Sequence, residues 1–387
     1  MAIDVLMIGL RSVVGAQGGV ESHVRHLAGE LDKLGLRVSV VVRTPYAAAG
    51  QTLAGTRVKI FRLWAPRSSS AEAFVHSFLS VLYAGVTRPH VVHIHAIGPS
   101  IVAPIARLLG LKVITTHHGE DYRREKWGAF ARLILRCGEI CQARFSHGLI
   151  CVSKTLAARL SEKYGRTFSY IPNGVVEPEK LPFSAVLEEL GLKAGKYLVT
   201  VSRLVPEKRH LDLIEAFSKV NIQGLKLVIV GTADHKSEYA RQVIRAAEQT
   251  EGVVLAGFRK GAELQDLFEH SAVFALPSSH EGLPIALLEA MSYGCKVVVS
   301  DIPPHLDLEL SEDNYHKMAN PSDLAAKLVK QIAGDDNVKQ DWSSKLQQFR
   351  WDIIALKCLE KYGEASPRIK MHRYSSRSSA DNVKNEL

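Results

Sequence analysis

Short apolar runs alternate with amphipathic stretches along most of the chain. Residues 3–9, 36–42, 58–62, 91–94, 112–116 and 148–152 read as strands. Between them, residues 20–34 carry Val20, Val24, Leu27, Ala28 and Leu31 at helical spacing, and residues 71–83 and 127–145 also look helical. Continuous apolar strands separated by helices predict a parallel, doubly wound sheet covered on both faces. The turn Ile171-Pro172-Asn173-Gly174 closes this half, and residues 175–195, rich in Glu, Pro and Lys, read as a linker. The alternation restarts at residues 197–202 and continues through 225–231, 253–257, 273–276 and 296–300. The predicted class is therefore α/β, with two Rossmann-like domains at residues 1–174 and 196–349. Ligands collect at the carboxyl ends of strands in such sheets, so two facing sheets suggest a cleft between domains. A last helix is expected over 350–365, and a basic, disordered tail over 366–387.

Composition narrows the class. A chain of 387 residues suits two domains. No apolar run reaches the roughly 18–20 residues of a membrane span. The first residues lack a basic n-region and carry Asp4, so they read as a strand rather than a signal peptide. Five cysteines, an odd number, suggest free thiols in a reducing compartment, hence a cytoplasmic protein. Cys137 and Cys141 have no second pair at metal-ligand spacing, so packing is expected of them and no metal site is predicted. Residues 1–173 hold 22 Lys/Arg against 10 Asp/Glu, a net of +12, and the rest hold 27 against 30, a net of −3, which sum to +9. The basic half implies an anionic partner. No nucleic-acid motif is present, so an anionic membrane face or a phosphate-bearing acceptor is favoured over nucleic acid. Arg132, Arg136 and Arg144 lie among apolar residues on the helix at 127–145, a pattern that fits a lipid-facing helix and an ordinary surface helix equally.

Candidate chemistry lies in loops after strands. After the run 273–276 comes Ser278-Ser279-His280-Glu281-Gly282-Leu283-Pro284, then an apolar helix carrying Glu289. Pro284 fits the first helical turn, Gly282 allows close approach, and the helix end favours an anion. Glu281 and Glu289 offer acceptors to sugar hydroxyls. Arg203 and Lys208, five apart after another strand, can clamp a diphosphate. Gly18 and Gly19 open the first helix, at a spacing that is not the dinucleotide fingerprint, so they are a close-approach loop or a plain turn. Thr115-Thr116-His117-His118-Gly119-Glu120-Asp121 is a polar cluster at a strand end; His117 reads as structural. The basic-aromatic run through Arg124 and Lys126 to Trp127 either starts a solvated helix or shapes an acceptor site. His93 is expected to pack and His95 to face the cleft.

Taken together, these pieces resemble the retaining glycosyltransferases of family 4, the group 1 transferases with a GT-B fold. The resemblance covers roughly residues 3–362. It rests on Gly18-Gly19-Val20-Glu21, His118-Gly119-x-Asp121-Tyr-x-Arg-x-Lys-Trp-Gly128, Ile171-Pro-Asn-Gly-Val175, Ser202-Arg-Leu-Val-Pro-Glu-Lys208 and the Glu-x7-Glu motif from Glu281 to Glu289. The His-Gly-x-Asp form looks like the bacterial subgroup that builds lipopolysaccharide, capsule and exopolysaccharide. The resemblance implies that Arg203 and Lys208 hold the donor diphosphate and that Glu289 takes the ribose hydroxyls. Glu281 would bind the donor sugar beside the amides of Gly282 and Leu283. His118 would lie by the reacting face of that sugar, and Gly18 and Gly19 would approach the phosphates. Arg11, His95, Asp121, Arg124, Lys126 and Asn173 are acceptor-side candidates. The terminal helix would cross back to the first domain.

Two segments depart from the family pattern: Gly9-Leu10-Arg11-Ser12 after the first strand, and Asn314-Tyr315-His316-Lys317-Met318 near the end. The substrate implied is a UDP-, GDP- or dTDP-linked sugar, with no cofactor and no metal. The acceptor implied is a lipid-linked or polysaccharide hydroxyl, reached from the cytoplasm or as a peripheral protein on the inner face of the membrane. Two competing readings are a nucleotide-sugar epimerase and a non-catalytic sugar-nucleotide-binding scaffold.

Overall fold

The computed structural model describes residues 3–15, 18–66, 72–124, 127–179, 181–233, 237–333 and 339–369. The chain forms two compact units. One holds the chain up to Arg123, Trp127–Gly174 and the chain from Trp351 onward; the other holds Val175–Arg350 together with Arg124.

The first unit runs β1 (Val5–Ile8), α1 (Gly19–Lys33), β2 (Val38–Arg43), β3 (Lys59–Leu63), α2 (Glu72–Thr87), β4 (Val91–His95), α3 (Ala103–Leu108), β5 (Val113–His117), α4 (Ala129–Phe145), β6 (Gly148–Cys151), α5 (Lys154–Tyr164) and β7 (Phe168–Tyr170). Its seven strands are parallel, in the order β3-β2-β1-β4-β5-β6-β7. Every residue of β1, β2, β4 and β5 is buried. That burial explains why these strands read as unbroken apolar runs. Leu6, Ile8, Val92, Ile94 and Val113 pack with Val81, Ala84, Ala103 and Ala106 from α2 and α3 to form one core layer. The sheet order reverses direction between β1 and β4, which creates a crevice at their carboxyl ends. Gly9 makes that corner possible. Its φ is +107°, and a Cβ there would stand 2.4 Å from the His95 carbonyl oxygen.

The second unit repeats the plan with α6 (Val186–Glu189), β8 (Tyr197–Val201), α7 (His210–Lys219), β9 (Lys226–Val230), α8 (Glu238–Gln249), β10 (Val253–Gly257), α9 (Ala262–Glu269), β11 (Val273–Leu276), α10 (Ile285–Ser292), β12 (Val297–Ser300), α11 (Pro303–Leu306), β13 (Tyr315–His316), α12 (Pro321–Ala333) and α13 (Ser343–Leu346). The strand order is β10-β9-β8-β11-β12-β13, again all parallel. Its switch point falls between β8 and β11; next to it, Gly231, just after β9, sets the corner where the chain leaves β8. There φ is +134°, and a Cβ would meet the Ser202 carbonyl oxygen at 2.0 Å.

Two expectations need correction. The stretch 175–195 is more than a linker, because α6 buries Val186 and Leu187. The chain after the last helix, α14 (Trp351–Ala365), stays ordered for a few residues: Ser366 donates its N–H to Tyr362 and Ile369 is buried. The rest of the expected disordered tail, from residue 370, lies outside the described residues. The atypical segment 314–318 supplies β13, which pairs with β12 and completes the sheet edge.

Candidate functional site

The second unit places its candidate groups at the β8/β11 switch point. β8 ends at Val201, and the loop from Ser202 runs through a short 3-10 turn, Pro206–Lys208, into α7. β11 ends at Leu276, and residues 277–284 lead into α10. The loops are joined by Ser279, whose N–H donates to the Glu207 carbonyl at 2.8 Å. Lys208 Nζ forms an ion pair with Glu281 Oε1, both side chains being largely buried. Burial alone would raise the Glu281 carboxyl pKa; the charges of Lys208 and then His305 outweigh it and hold the group below its ordinary value. Glu281 therefore stays ionised, an acceptor-only group in a dry corner.

His305, at the N-terminal turn of α11, was not singled out from the sequence. It is fully buried, its Nδ1 donates to the Ser300 carbonyl at 2.9 Å, and its Nε2 has no hydrogen-bond partner among the described residues. Burial pushes its pKa down to about 4 against the pull of Glu281. A lone histidine within a four-residue helix carries no periodic signal; only the packing brings it toward Glu281.

Pro284 stands at the N-cap of α10, one position before the helical turn in which it was expected. Helical bonding starts with the Leu287 N–H to the Pro284 carbonyl at 3.2 Å, so the first-turn amides ahead of it point out of the helix end. Gly282 and Leu283 are buried beside that end, and Glu289 is half-buried on α10. Arg203 is half-buried on the loop after β8. Arg124 groups with this unit, its Nη1 3.4 Å from Glu207 Oε1.

In the first unit a histidine cluster sits at the ends of β4 and β5. His118 follows β5 and is half-buried; its Nε2 lies 3.2 Å from His95 Nδ1. His95 has no exposed surface. The α1 helix adds His23, 1% exposed, whose ring centroid is 4.8 Å from that of His118. His23 Nδ1 donates to Asn173 Oδ1 at 2.9 Å, which gives Asn173 a structural task. Trp351 closes the group, 5.4 Å from His23 and stacked on His26. Burial depresses the pKa of His23 to about 4 and holds His95 and His118 well below the ordinary histidine value, so all three rings are neutral. His23 was missed because its signal, one residue on the buried face of a helix, is that of core packing. His93 packs as expected, between Tyr362 and Thr116. So does His117, which accepts from the Gly119 N–H at 3.2 Å and faces Glu139.

Other predicted residues are dispersed. Gly18 caps α1 with extended backbone and Gly19 begins it. Arg11 is held by Glu72 at 3.3 Å and lies over the Tyr46 ring; Glu72 also binds Arg43 at 2.8 Å. Ser12 is buried and donates to the Val14 carbonyl at 3.0 Å, so the atypical loop is tied to itself. Asp121 starts a short 3-10 turn after Gly119. Lys126 lies outside the described residues. All five cysteines are free, and no described helix is long and apolar enough to cross a membrane.

Comparison with known proteins agrees with this architecture. Residues 17–177 match the family described as Glycosyltransferase Family 4, and residues 187–349 match Glycosyl transferases group 1. The UDP-Gal:alpha-D-GlcNAc-diphosphoundecaprenol alpha-1,3-galactosyltransferase of Escherichia coli is 31% identical over 226 residues, 55% of this chain and 58% of that enzyme. The chain spans about half the length of the first curated relatives it matches. Among solved structures, sucrose-phosphate synthase from Thermosynechococcus elongatus superposes with a TM-score of 0.78 at 18% identity, over 94% of this chain and 98% of that one. Anabaena HepE in complex with UDP and glucose superposes with a TM-score of 0.74 at 18% identity, over 93% and 99%. The two parallel Rossmann-like sheets match these neighbours in fold, and the two family matches, which together cover residues 17–177 and 187–349, establish that the chain belongs to the group 1 glycosyltransferases of family 4.

Proposed function

We propose that the chain moves a hexose-type sugar from a nucleotide-sugar to a hydroxyl of a lipid-linked or polysaccharide acceptor, with retention at the anomeric carbon, in bacterial surface-polysaccharide synthesis. The observation that carries this reading is the buried Lys208–Glu281 pair beside the open end of α10, at the β8/β11 switch point. As the glycosidic bond breaks, negative charge grows on the departing diphosphate. Lys208, Arg203 and the amide end of α10 oppose that charge, and preorganised groups of this kind are often the largest catalytic term. Glu281 accepts from donor-sugar hydroxyls with the amides of Gly282 and Leu283 nearby, and Glu289 accepts from the ribose. In the first unit His118 meets the reacting sugar, and Gly18 and Gly19 approach the phosphates. Asp121, Arg124 and Lys126 belong to the acceptor side.

The chemistry needs no metal, because the cations that stabilise the leaving group are side chains. The relative in E. coli is named for UDP-Gal and a diphosphoundecaprenol acceptor, which supports a nucleotide-sugar donor and a lipid-linked acceptor; HepE is described with UDP and glucose, which supports the donor alone.

The test is turnover of a panel of nucleotide-sugars with and without polyprenyl-diphosphate glycan, in the presence of EDTA. Product that requires the acceptor supports transfer; isomerised donor without it would favour an epimerase. Lys208→Ala should lower turnover by about 10²-fold. Unchanged turnover in that variant would sink the role given to the pair.

A further inference from the structure

We propose that His23, His95 and His118 form a binding site for one late first-row divalent metal ion, with zinc the ion the ligand set suits best. A ring nitrogen from each of the three lies within 4.8 Å of the others. Two of them, His95 Nδ1 and His118 Nε2, are already 3.2 Å apart. A zinc–nitrogen bond of about 2.0–2.1 Å in a tetrahedral site sets ligand nitrogens ~3.4 Å apart. One pair is thus in place, and small ring rotations bring in the third.

The electronics suit the task. A metal needs the neutral imidazole lone pair. His23 is oriented as a ligand would be. Its Nδ1–H is spent on Asn173 Oδ1, which leaves Nε2 as a lone pair, buried and without a hydrogen-bond partner. A metal-bound histidine typically donates its other N–H to a carbonyl or carboxylate in this way. An unpaired buried polar atom costs free energy, so His23 Nε2 calls for an occupant.

Three histidines with an open fourth position are a recognised zinc set. Half-buried His118 is the side from which an ion enters. The competing cluster, Asp266, Glu269 and His270, is weaker: Asp266 Oδ2 already accepts from the N–H and hydroxyl of Ser184, each at 2.6 Å. A consequence follows that rests on the sugar-facing role of His118 proposed above. An ion held by His118 withdraws that ring from the donor sugar, so occupation inhibits transfer.

The experiment titrates the metal-free full chain with Co(II), without sugar or nucleotide, and reads visible ligand-field absorption, with Zn(II) as competitor. One equivalent should bind. His23→Ala, His23→Gln and His118→Ala should each weaken binding by at least about tenfold, the range seen even for lost supporting groups. His270→Ala should leave it unchanged. Near-native circular dichroism in His23→Gln guards against misfolding as the cause of loss. Binding that survives all three substitutions, is abolished by His270→Ala, or never saturates would overturn the site. Because this readout needs no turnover, its failure is separate from failure of the transferase reading. Zinc inhibition reversed by chelator supports the inhibitory consequence; full turnover with the site occupied overturns that consequence.

Discussion

At the residue scale, the second unit concentrates unusual titrations around one corner. Glu281, His305 and His210 gather around the Lys208 charge from three separate stretches. His210, at the start of α7, is buried with Nε2 2.9 Å from Ser202 Oγ, and its backbone N–H donates to Tyr239 at 2.7 Å. Burial, and then the nearby Lys208 charge, push its pKa from 6.5 down to about 3. Between these values the unfolded chain binds a proton at this ring and the folded chain does not. His210 therefore contributes its full stability above about pH 6.5 and loses it as pH falls toward about 3, with a slope of up to about 1.4 kcal/mol per pH unit. Urea midpoints measured from pH 7 to 4 should fall less steeply in His210→Gln than in the unmodified chain. Parallel curves would mean that the ring titrates alike in both states.

At the element scale, the site loops depend on backbone corners that only glycine permits. Gly231 follows β9 where the chain leaving β8 passes, so a side chain there must push the Ser202–Lys208 loop. Gly231→Ala combines a left-handed φ with a clash against backbone and should cost on the order of 1–3 kcal/mol. It should also weaken nucleotide binding, since Arg203 and Lys208 ride on the displaced loop. Urea denaturation and calorimetric titration with UDP, GDP and dTDP check the two effects. An unaltered affinity for every nucleotide would separate this corner from donor binding. The same scale shows which elements were hard to read. β7 has three residues and β13 has two, and both are edge strands. Neither is long enough to form an apolar run; pairing with β6 and β12 defines them.

For the whole molecule, the +12 balance of residues 1–173 meets an exposed face on α4. Phe130 is 76% and Leu133 57% exposed there, beside the exposed Arg132, Arg136 and Arg144. Apolar side chains rimmed by cations fit peripheral docking on an anionic inner-membrane face, the proposed location of a lipid-linked acceptor. Replacing the three arginines by glutamine should weaken flotation with anionic vesicles by about 3 kcal/mol, roughly a hundredfold, at about 1 kcal/mol per charge. Raised salt should act in the same direction. Flotation indifferent to anionic lipid content would leave α4 an ordinary surface helix.

What was legible in the sequence was what periodicity and local chemistry encode. Buried parallel strands must be apolar on both faces, so β1, β2, β4, β5, β8 and β11 announce themselves, and so does the two-unit plan. Loops after those strands must carry the chemistry, so Glu281, Lys208 and His118 could be singled out before any contact was known. Tertiary structure alone decided the partnerships. It paired Lys208 with Glu281 across 73 positions, brought His305 into their field, and set His23 against His118 with Asn173 behind it. It also removed Arg11 into a pair with Glu72 and buried His95 entirely. The physical reason is range. Helix and strand preferences act over a few residues, whereas ion pairs and ring contacts depend on which strand ends the sheet order makes neighbours.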